Sequence, residues 1–228
     1  MYEKEKEQLK NQSRFDIDDL RLIVRILRSP GGCPWDGEQT HKSLIPGMIE
    51  EAYEVVEAIE AESGEMLREE LGDVLLQIVF HADIEREKGT FDFDDAVTDI
   101  CRKMIVRHPH VFADVKAETS EIVLQNWDQI KAVTKSQKNL AEKLDAIAKP
   151  LPALVRMQKV ARKTAKEREI PVPNASDRLT ETERRLGQDL LKVIHECEAS
   201  GLEAETVLRR YCDAVIEAVR KGEAEETR

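Results

Sequence analysis

The sequence predicts an all-α fold. Three observations carry that reading. Nearly every patterned stretch repeats its apolar residues at spacings of three and four. No alternating stretch bounded by hairpin turns, and no strand–helix–strand succession, is present. The composition, 41% hydrophobic and 36% charged with only 4% aromatic, suits a helical protein better than a sandwich or a barrel. At 228 residues the chain can hold one domain, or one with a smaller companion.

The elements follow in order. Over residues 16–29, Leu20, Ile23, Val24 and Leu27 form one stripe, Asp16 is the predicted N-cap, and Pro30-Gly31-Gly32 ends the helix. Residues 31–46, GGCPWDGEQTHKSLIP, read as a Gly- and Pro-rich loop. A second helix is predicted from Gly47 to Ala61, with Ile49, Ala52, Tyr53, Val56 and Ile59 inward, and a third from Glu65 to Lys88. A fourth is capped by Asp92 or Asp94 and runs to Arg107, where His108-Pro109 stops it; His108 and His110 read as turn residues and not as ligands. A further helix covers about 119–136. Prolines at 150, 152, 171 and 173 then change the character of the chain, and IPVPNASD reads as a linker. Residues 179–222 hold one or two amphipathic helices, and the last residues, GEAEETR, should fray.

Charge and hydropathy exclude several classes. A formal net charge of −11 argues against a general nucleic-acid binder, which wants a basic face. It leaves room for an anionic small substrate if a metal ion intervenes. No window reaches the ~18 apolar residues of a membrane span, and MYEKEKEQLK lacks the apolar core of a secretory leader. Cys33, Cys101, Cys197 and Cys212 are scattered and form no CxxC pair, which points to reduced thiols in a cytoplasmic protein.

The chemistry concentrates in residues 50–82. Glu51 and Glu54 are three apart, as are Glu70 and Asp73, so each pair shares a helix face. In the third helix the apolar residues Leu71, Val74, Leu75, Leu76, Ile78, Val79 and Phe80 cover most of the circumference. The polar exceptions Glu70, Asp73, Gln77 and His81 follow one line. That line faces either water or a polar site between helices. Two carboxylate pairs on facing helices would supply the hard oxygen ligands that Mg²⁺ takes, and acids this close need a cation to stay charged together.

The run GGCPWDGEQTHKSL, then EEAYEVVEAI, ELGDVLLQIVFHA, RHPHVF and NWDQIK, resembles the MazG nucleoside triphosphate pyrophosphohydrolases in order and with little gapping over about residues 17–138. The resemblance implies an all-α, dimerising, Mg²⁺-dependent bundle, with Mn²⁺ as a substitute ion. It implies cleavage of nucleoside triphosphates between the α- and β-phosphates to monophosphate and pyrophosphate by a homodimer, and the charge and hydropathy above leave neither nucleic acid nor membrane among the expected partners. The family's EExxE motif falls on Glu50, Glu51 and Glu54, and its ExxD motif on Glu70 and Asp73. Metal ligands are thereby implied at Glu51, Glu54, Glu70 and Asp73, and a general base among Glu50, Glu54 and Glu69. The resemblance sets Lys103, Arg107 and Lys131 at the phosphates and Trp127 against the nucleotide, while Trp35 in the Gly/Pro loop is a candidate for the base or sugar pocket. One departure stands out: the family often has an aromatic residue after the proline that precedes EExxE, and here Pro46 is followed by Gly47.

A catalytic domain is therefore expected over residues 1–140. Residues 141–228 then hold a linker and a truncated second copy. LPALVRMQKVARK at 151–163 resembles the start of that copy, but EREIPVPNASDRLT offers no EExxE helix, and Arg185 and Gln188 stand where the second ExxD should be. Two other classes remain open: a non-catalytic helical module with solvated acids, and a di-iron bundle, for which the chain offers one ExxH pair, Glu38–His41, in a loop.

Overall fold

In the computed structural model the described residues are 2–113, 115, 119, 120, 122, 123, 126, 127, 130, 139–165 and 178–226. Every regular element among them is a helix, so the fold is all-α. No helix among the described residues is long and apolar enough to cross a membrane. The chain divides into two compact units, Met1–Glu118 and Thr119–Arg228, a division that falls earlier in the chain than the domain change expected at residue 140.

The first unit contains α1 (Glu3–Lys10), α2 (Ile17–Arg28), α3 (Pro34–Glu38), α4 (Ile45–Glu60), α5 (Gly64–Lys88), α6 (Phe93–Arg107) and α7 (Pro109–Phe112). Asp16 caps α2 as expected, accepting from the backbone N–H groups of Asp18 and Asp19, while the Asp19 side chain returns a bond to the Asp16 N–H. Asp92, not Asp94, caps α6 in the same reciprocal way. Helix α5 ends at Gly89, whose φ of 72° closes the helix in the left-handed region that glycine enters without strain. Two short helices add to the expected elements. Residues 34–38 form a turn of helix with Pro34 in its first turn, and α1 forms from residues with high helix propensity although it buries nothing. Helix α4 starts two residues before the expected Gly47, because Pro46 suits a first helical turn.

The core of this unit is Val24, Leu44, Val79, Phe80 and Ile84, with Leu20, Leu76 and Phe93 packed on it. It takes one face of α2 and one face of α5. The apolar stripe expected to point inward on α4 does the opposite: Ile49 is 52% exposed and Tyr53 45%, and Ile59 is exposed as well. Leu71, Leu75 and Ile78 of α5 are exposed too. The helical period was read correctly, but among the described residues this stripe stays largely uncovered.

Polar ties hold α2 on α5. Asp83 is buried, and its carboxylate accepts from Arg86 Nε at 2.6 Å, with Arg28 Nε 3.7 Å and Arg25 Nε 3.9 Å away. The Arg28 side chain is only 4% exposed. It donates to the carbonyls of Asp36 (2.8 Å) and Gln39 (3.2 Å) and to Glu87 (2.9 Å). One guanidinium therefore links α2, α3 with the residue that follows it, and α5.

The second unit contains α8 (Leu140–Asp145), α9 (Ala153–Thr164), α10 (Glu181–Ala199) and α11 (Ala204–Glu226). Residues 179–222 thus resolve into two helices, and α11 continues into the tail expected to fray. The helix expected at 119–136 lies largely outside the described residues. The core is Ala161, Ile194, Cys197 and Ala204, with Leu154 and Met157 against it. The fully buried Gln158 joins the elements by donating to Glu198 and to the Leu202 carbonyl (2.8 Å) and accepting from the Ala204 N–H (2.8 Å). Its amide is satisfied at both ends, as a buried polar group must be.

Replacing Arg28 with methionine keeps the side-chain length but leaves two carbonyls and two carboxylates without this donor. Urea unfolding should show the first unit destabilised by about 3 kcal/mol.

Candidate active site

Helices α4 and α5 are joined by only three residues, 61–63, with Glu62 at φ 52° in the turn. So short a connection folds them back antiparallel. The register can be followed along the seam. A Cβ on Gly47 would lie 2.8 Å from Nε2 of Gln77, so these two positions meet directly. Four residues further along α4 is Glu51, and four residues back along α5 is Asp73; Glu54 and Glu70 follow after another three. The polar line of α5 therefore faces α4 and not open water. The acids sit at the mouth of an apolar segment because that segment's polar line is the floor of an interhelical groove.

Ligand oxygens of Glu51, Glu70 and Asp73 all lie within 4.8 Å of one another, and all three residues are half-buried. Among the described residues this is the one group of carboxylate, imidazole or thiolate side chains arranged so. Partial burial pushes the Glu51 carboxyl above its ordinary pKa, a hydrogen bond shared with Glu54 adds to the rise, and the charges of Asp73, Glu54 and Glu70 complete it. The Glu70 carboxyl is raised by partial burial first, then by the charges of Glu54, Glu69, Asp73 and Glu57. Both rise for the same reasons: partial loss of solvent disfavours the charged form first, and the neighbouring carboxylates add to it. Three hard oxygens in mutual reach, destabilised by one another, form the donor set that a divalent cation such as Mg²⁺ takes.

The other expected residues are distributed as follows. Glu54 is half-buried and lies beside the three-oxygen group, bonded to Glu51 and acting on Glu70. Glu50 and Glu69 are exposed on the flanks. Lys103 is exposed and Arg107 half-buried, one turn apart on α6. Trp35 belongs to α3 and is 66% exposed. Trp127 is half-buried and belongs to the second unit. Lys131 lies outside the described residues. In the second unit Asp189, next to Gln188, is paired with Lys192 (2.9 Å) and Arg185 (3.5 Å), and Lys192 foremost holds its carboxyl below the usual range.

One constellation escaped the sequence reading. His41, just before α4, stacks on His81 of α5 with ring centroids 5.0 Å apart. Their Nδ1 atoms are 2.7 Å apart, and His41 Nε2 lies 2.5 Å from Glu85 Oε1. Glu85 also accepts from Lys88 (2.6 Å) and Thr90. These bonds, Lys88 first and then Thr90 and His41, hold its carboxyl down to about 2. A 2.7 Å contact between two imidazole nitrogens needs one proton and one lone pair. With His41 Nε2–H donating to Glu85, the neutral arrangement has His81 Nδ1–H donating to His41 Nδ1. His81 was visible as the last member of the polar line; its partner, forty residues away in a loop, was not.

An all-α bundle carrying a half-buried carboxylate cluster between antiparallel helices is the class these features define. The model of the MazG nucleotide pyrophosphohydrolase domain matches residues 39–112, which contain the whole cluster and the histidine pair. The chain is 34% identical over 222 residues to the nucleoside triphosphate pyrophosphohydrolase/pyrophosphatase MazG of Thermotoga maritima, covering 91% of this chain and 85% of that protein. It is 49% identical over 150 residues to the nucleoside triphosphate pyrophosphohydrolase of Escherichia coli K12, covering 65% of this chain and 57% of that one. It is 49% identical over 147 residues to the uncharacterized protein YabN of Bacillus subtilis, covering 64% of this chain and 29% of that one. The chain therefore spans little more than half the length of the Escherichia coli relative and less than a third of the Bacillus one. It belongs to the MazG family.

Burial, followed by the charge of His41, lowers the pKa of His81. The folded state thus favours neutral His81, whereas the unfolded chain titrates near the ordinary value of about 6.5. A depressed folded pKa gives stability that is present above the unfolded value and lost as pH falls below it. From pH 7.5 to pH 5 the native chain should therefore lose unfolding free energy relative to His81→Phe, in which the carboxylate contributions are shared and cancel in the comparison.

Proposed function

We propose that this chain is a Mg²⁺-dependent nucleoside triphosphate pyrophosphohydrolase. It would cleave NTPs and dNTPs between the α- and β-phosphates to monophosphate and pyrophosphate, as a house-cleaning activity on the nucleotide pool. The observation that carries this reading is the set of Glu51, Glu70 and Asp73 oxygens within 4.8 Å on the α4–α5 seam. Family membership and the activity named for the Thermotoga maritima and Escherichia coli relatives support it.

Glu51, Glu70 and Asp73 would hold the ion, with Glu54 as the adjoining fourth carboxylate, and Mn²⁺ would suit the same oxygen ligands. Bound there, a divalent ion supplies neutralisation of triphosphate charge and a water of lowered pKa. Of the three candidate bases we assign Glu54. It is half-buried and bonded to Glu51, whereas Glu50 and Glu69 are exposed. It would take the proton from the attacking water. Lys103, Arg107 and Lys131 would offer positive charge to the phosphates, and Trp35 and Trp127 aromatic faces to the nucleoside.

The reading extends to a homodimer. Ile45, Ile49 and Tyr53 of α4, spaced four apart, are exposed, and so are Leu71, Leu75 and Ile78 of α5, spaced four and three apart. Two adjacent helices with uncovered apolar stripes make the kind of patch that marks an interface. A second copy would cover the stripe that the sequence pattern assigns to a core.

Three measurements test this proposal. Product analysis on a panel of nucleoside triphosphates should show pyrophosphate and monophosphate with Mg²⁺ and none with chelator; no turnover by folded protein would sink the reading. Glu70→Gln should abolish turnover. Because the Glu70 pKa is raised, its charge costs stability above that pKa, so the variant should melt higher than the native chain without metal at pH 7.5. Mg²⁺ should raise the melting temperature of the native chain and not of the variant. Tyr53→Asp should shift sedimentation from dimer to monomer; an unchanged native monomer would remove the dimer.

A further inference from the structure

The α4–α5 seam has one more layer beyond the acids. One turn from Asp73 along α5 is Gln77, and one turn from Glu51 along α4 is Gly47. The Gln77 amide occupies the room that Gly47 leaves: a Cβ there would stand 2.8 Å from Nε2 and 3.6 Å from Cδ. Gln77 is half-buried, and its carbonyl oxygen is fully buried with no hydrogen-bond partner. Its amide nitrogen makes no hydrogen bond among the described residues either. An amide so placed is unusual, because buried polar atoms are paired in nearly all cases and an unpaired one calls for an explanation. Contrast Gln158 in the second unit, whose amide is satisfied at both ends.

We infer that Gln77 is a specificity-determining residue that hydrogen-bonds the nucleoside part of the substrate, and that Gly47 keeps the space in which its amide can do so. The inference rests on the pyrophosphohydrolase reading of the same seam. The carboxylates define where the phosphates go, so a group one helical turn away, about 5–6 Å along the axis, meets what the phosphates are attached to. A primary amide offers one acceptor and two donors and can turn end for end. It therefore suits a sugar hydroxyl or a base amino or carbonyl group, and it is unsuited to a bare phosphate, for which a cation would serve better. Gly47 is a poor residue for a helix interior, yet it stands in the first turn of α4. Its stability cost is explained if a side chain there would displace the amide.

The test uses the full chain with Gln77→Leu, which keeps the size and removes the amide, and Gly47→Ala, which keeps the amide and pushes it. ATP, dATP and ddATP differ in single sugar hydroxyls; GTP against ITP, and ATP against purine-riboside triphosphate, differ in single amino groups. Gln77→Leu should lower kcat/KM about tenfold for the substrate bearing the group that is read and leave its stripped analogue unchanged, collapsing one ratio and identifying sugar or base. Binding of an α,β-methylene triphosphate, followed by calorimetry, should weaken by the same factor. Gly47→Ala should melt at or above the native temperature and still lose discrimination, which a purely structural role would not produce. Native turnover with every ratio and the analogue affinity unchanged in both variants would overturn this assignment alone, leaving the amide to solvent. Absence of native turnover would overturn the parent reading and this one with it.

Discussion

The antiparallel register of α4 against α5 is the constraint on which the rest depends. Each position toward the end of α4 meets one correspondingly nearer the start of α5. Gly47 with Gln77 therefore dictates Glu51 with Asp73, and that dictates Glu54 with Glu70. A slip of one residue would rotate the acids by about 100° and disperse the cluster. The register is held at both ends: by the three-residue turn at 61–63, and by Leu44 and the histidine pair beside the start of α4.

The seam is expensive in isolation. Burial and mutual repulsion lift the Glu51 and Glu70 carboxyls, so the folded chain carries an electrostatic cost exactly where its chemistry would be. The core on the far side of α5, Val79, Phe80 and Ile84 with Val24 of α2, offsets that cost, together with the buried arginine–carboxylate ties of Arg28 and Asp83. Helix α5 is thus divided by function around its circumference. One side is core, one faces the carboxylate groove, and a third, Leu71, Leu75 and Ile78, is apolar and uncovered.

Much of this was legible in the sequence. The caps at Asp16 and Asp92, the helical period of residues 16–29 and 65–88, and the shared faces of Glu51–Glu54 and Glu70–Asp73 all follow from neighbours three and four apart. The family resemblance came from short motifs in series and agrees with the match over residues 39–112. The line Glu70, Asp73, Gln77, His81 was seen as a line, but its direction was not. Nor was the outward turn of Ile49 and Tyr53, because a hydrophobic period says that a face is to be covered and not by which molecule.

The sequence by itself determined the long helices of the first unit, the caps at Asp16 and Asp92, and which acids share a face, since these are consequences of backbone geometry within one or two turns. Only the tertiary structure decided which faces meet. It brought His41 onto His81 and Glu85 across forty residues, set the Gln77 amide against Gly47, and gathered Glu51 with Glu70 and Asp73 while leaving Glu50 and Glu69 in solvent. The physical reason is that rotation and register between two helices are set by the summed packing of their cores and the length of the turn between them, quantities that no local periodicity encodes.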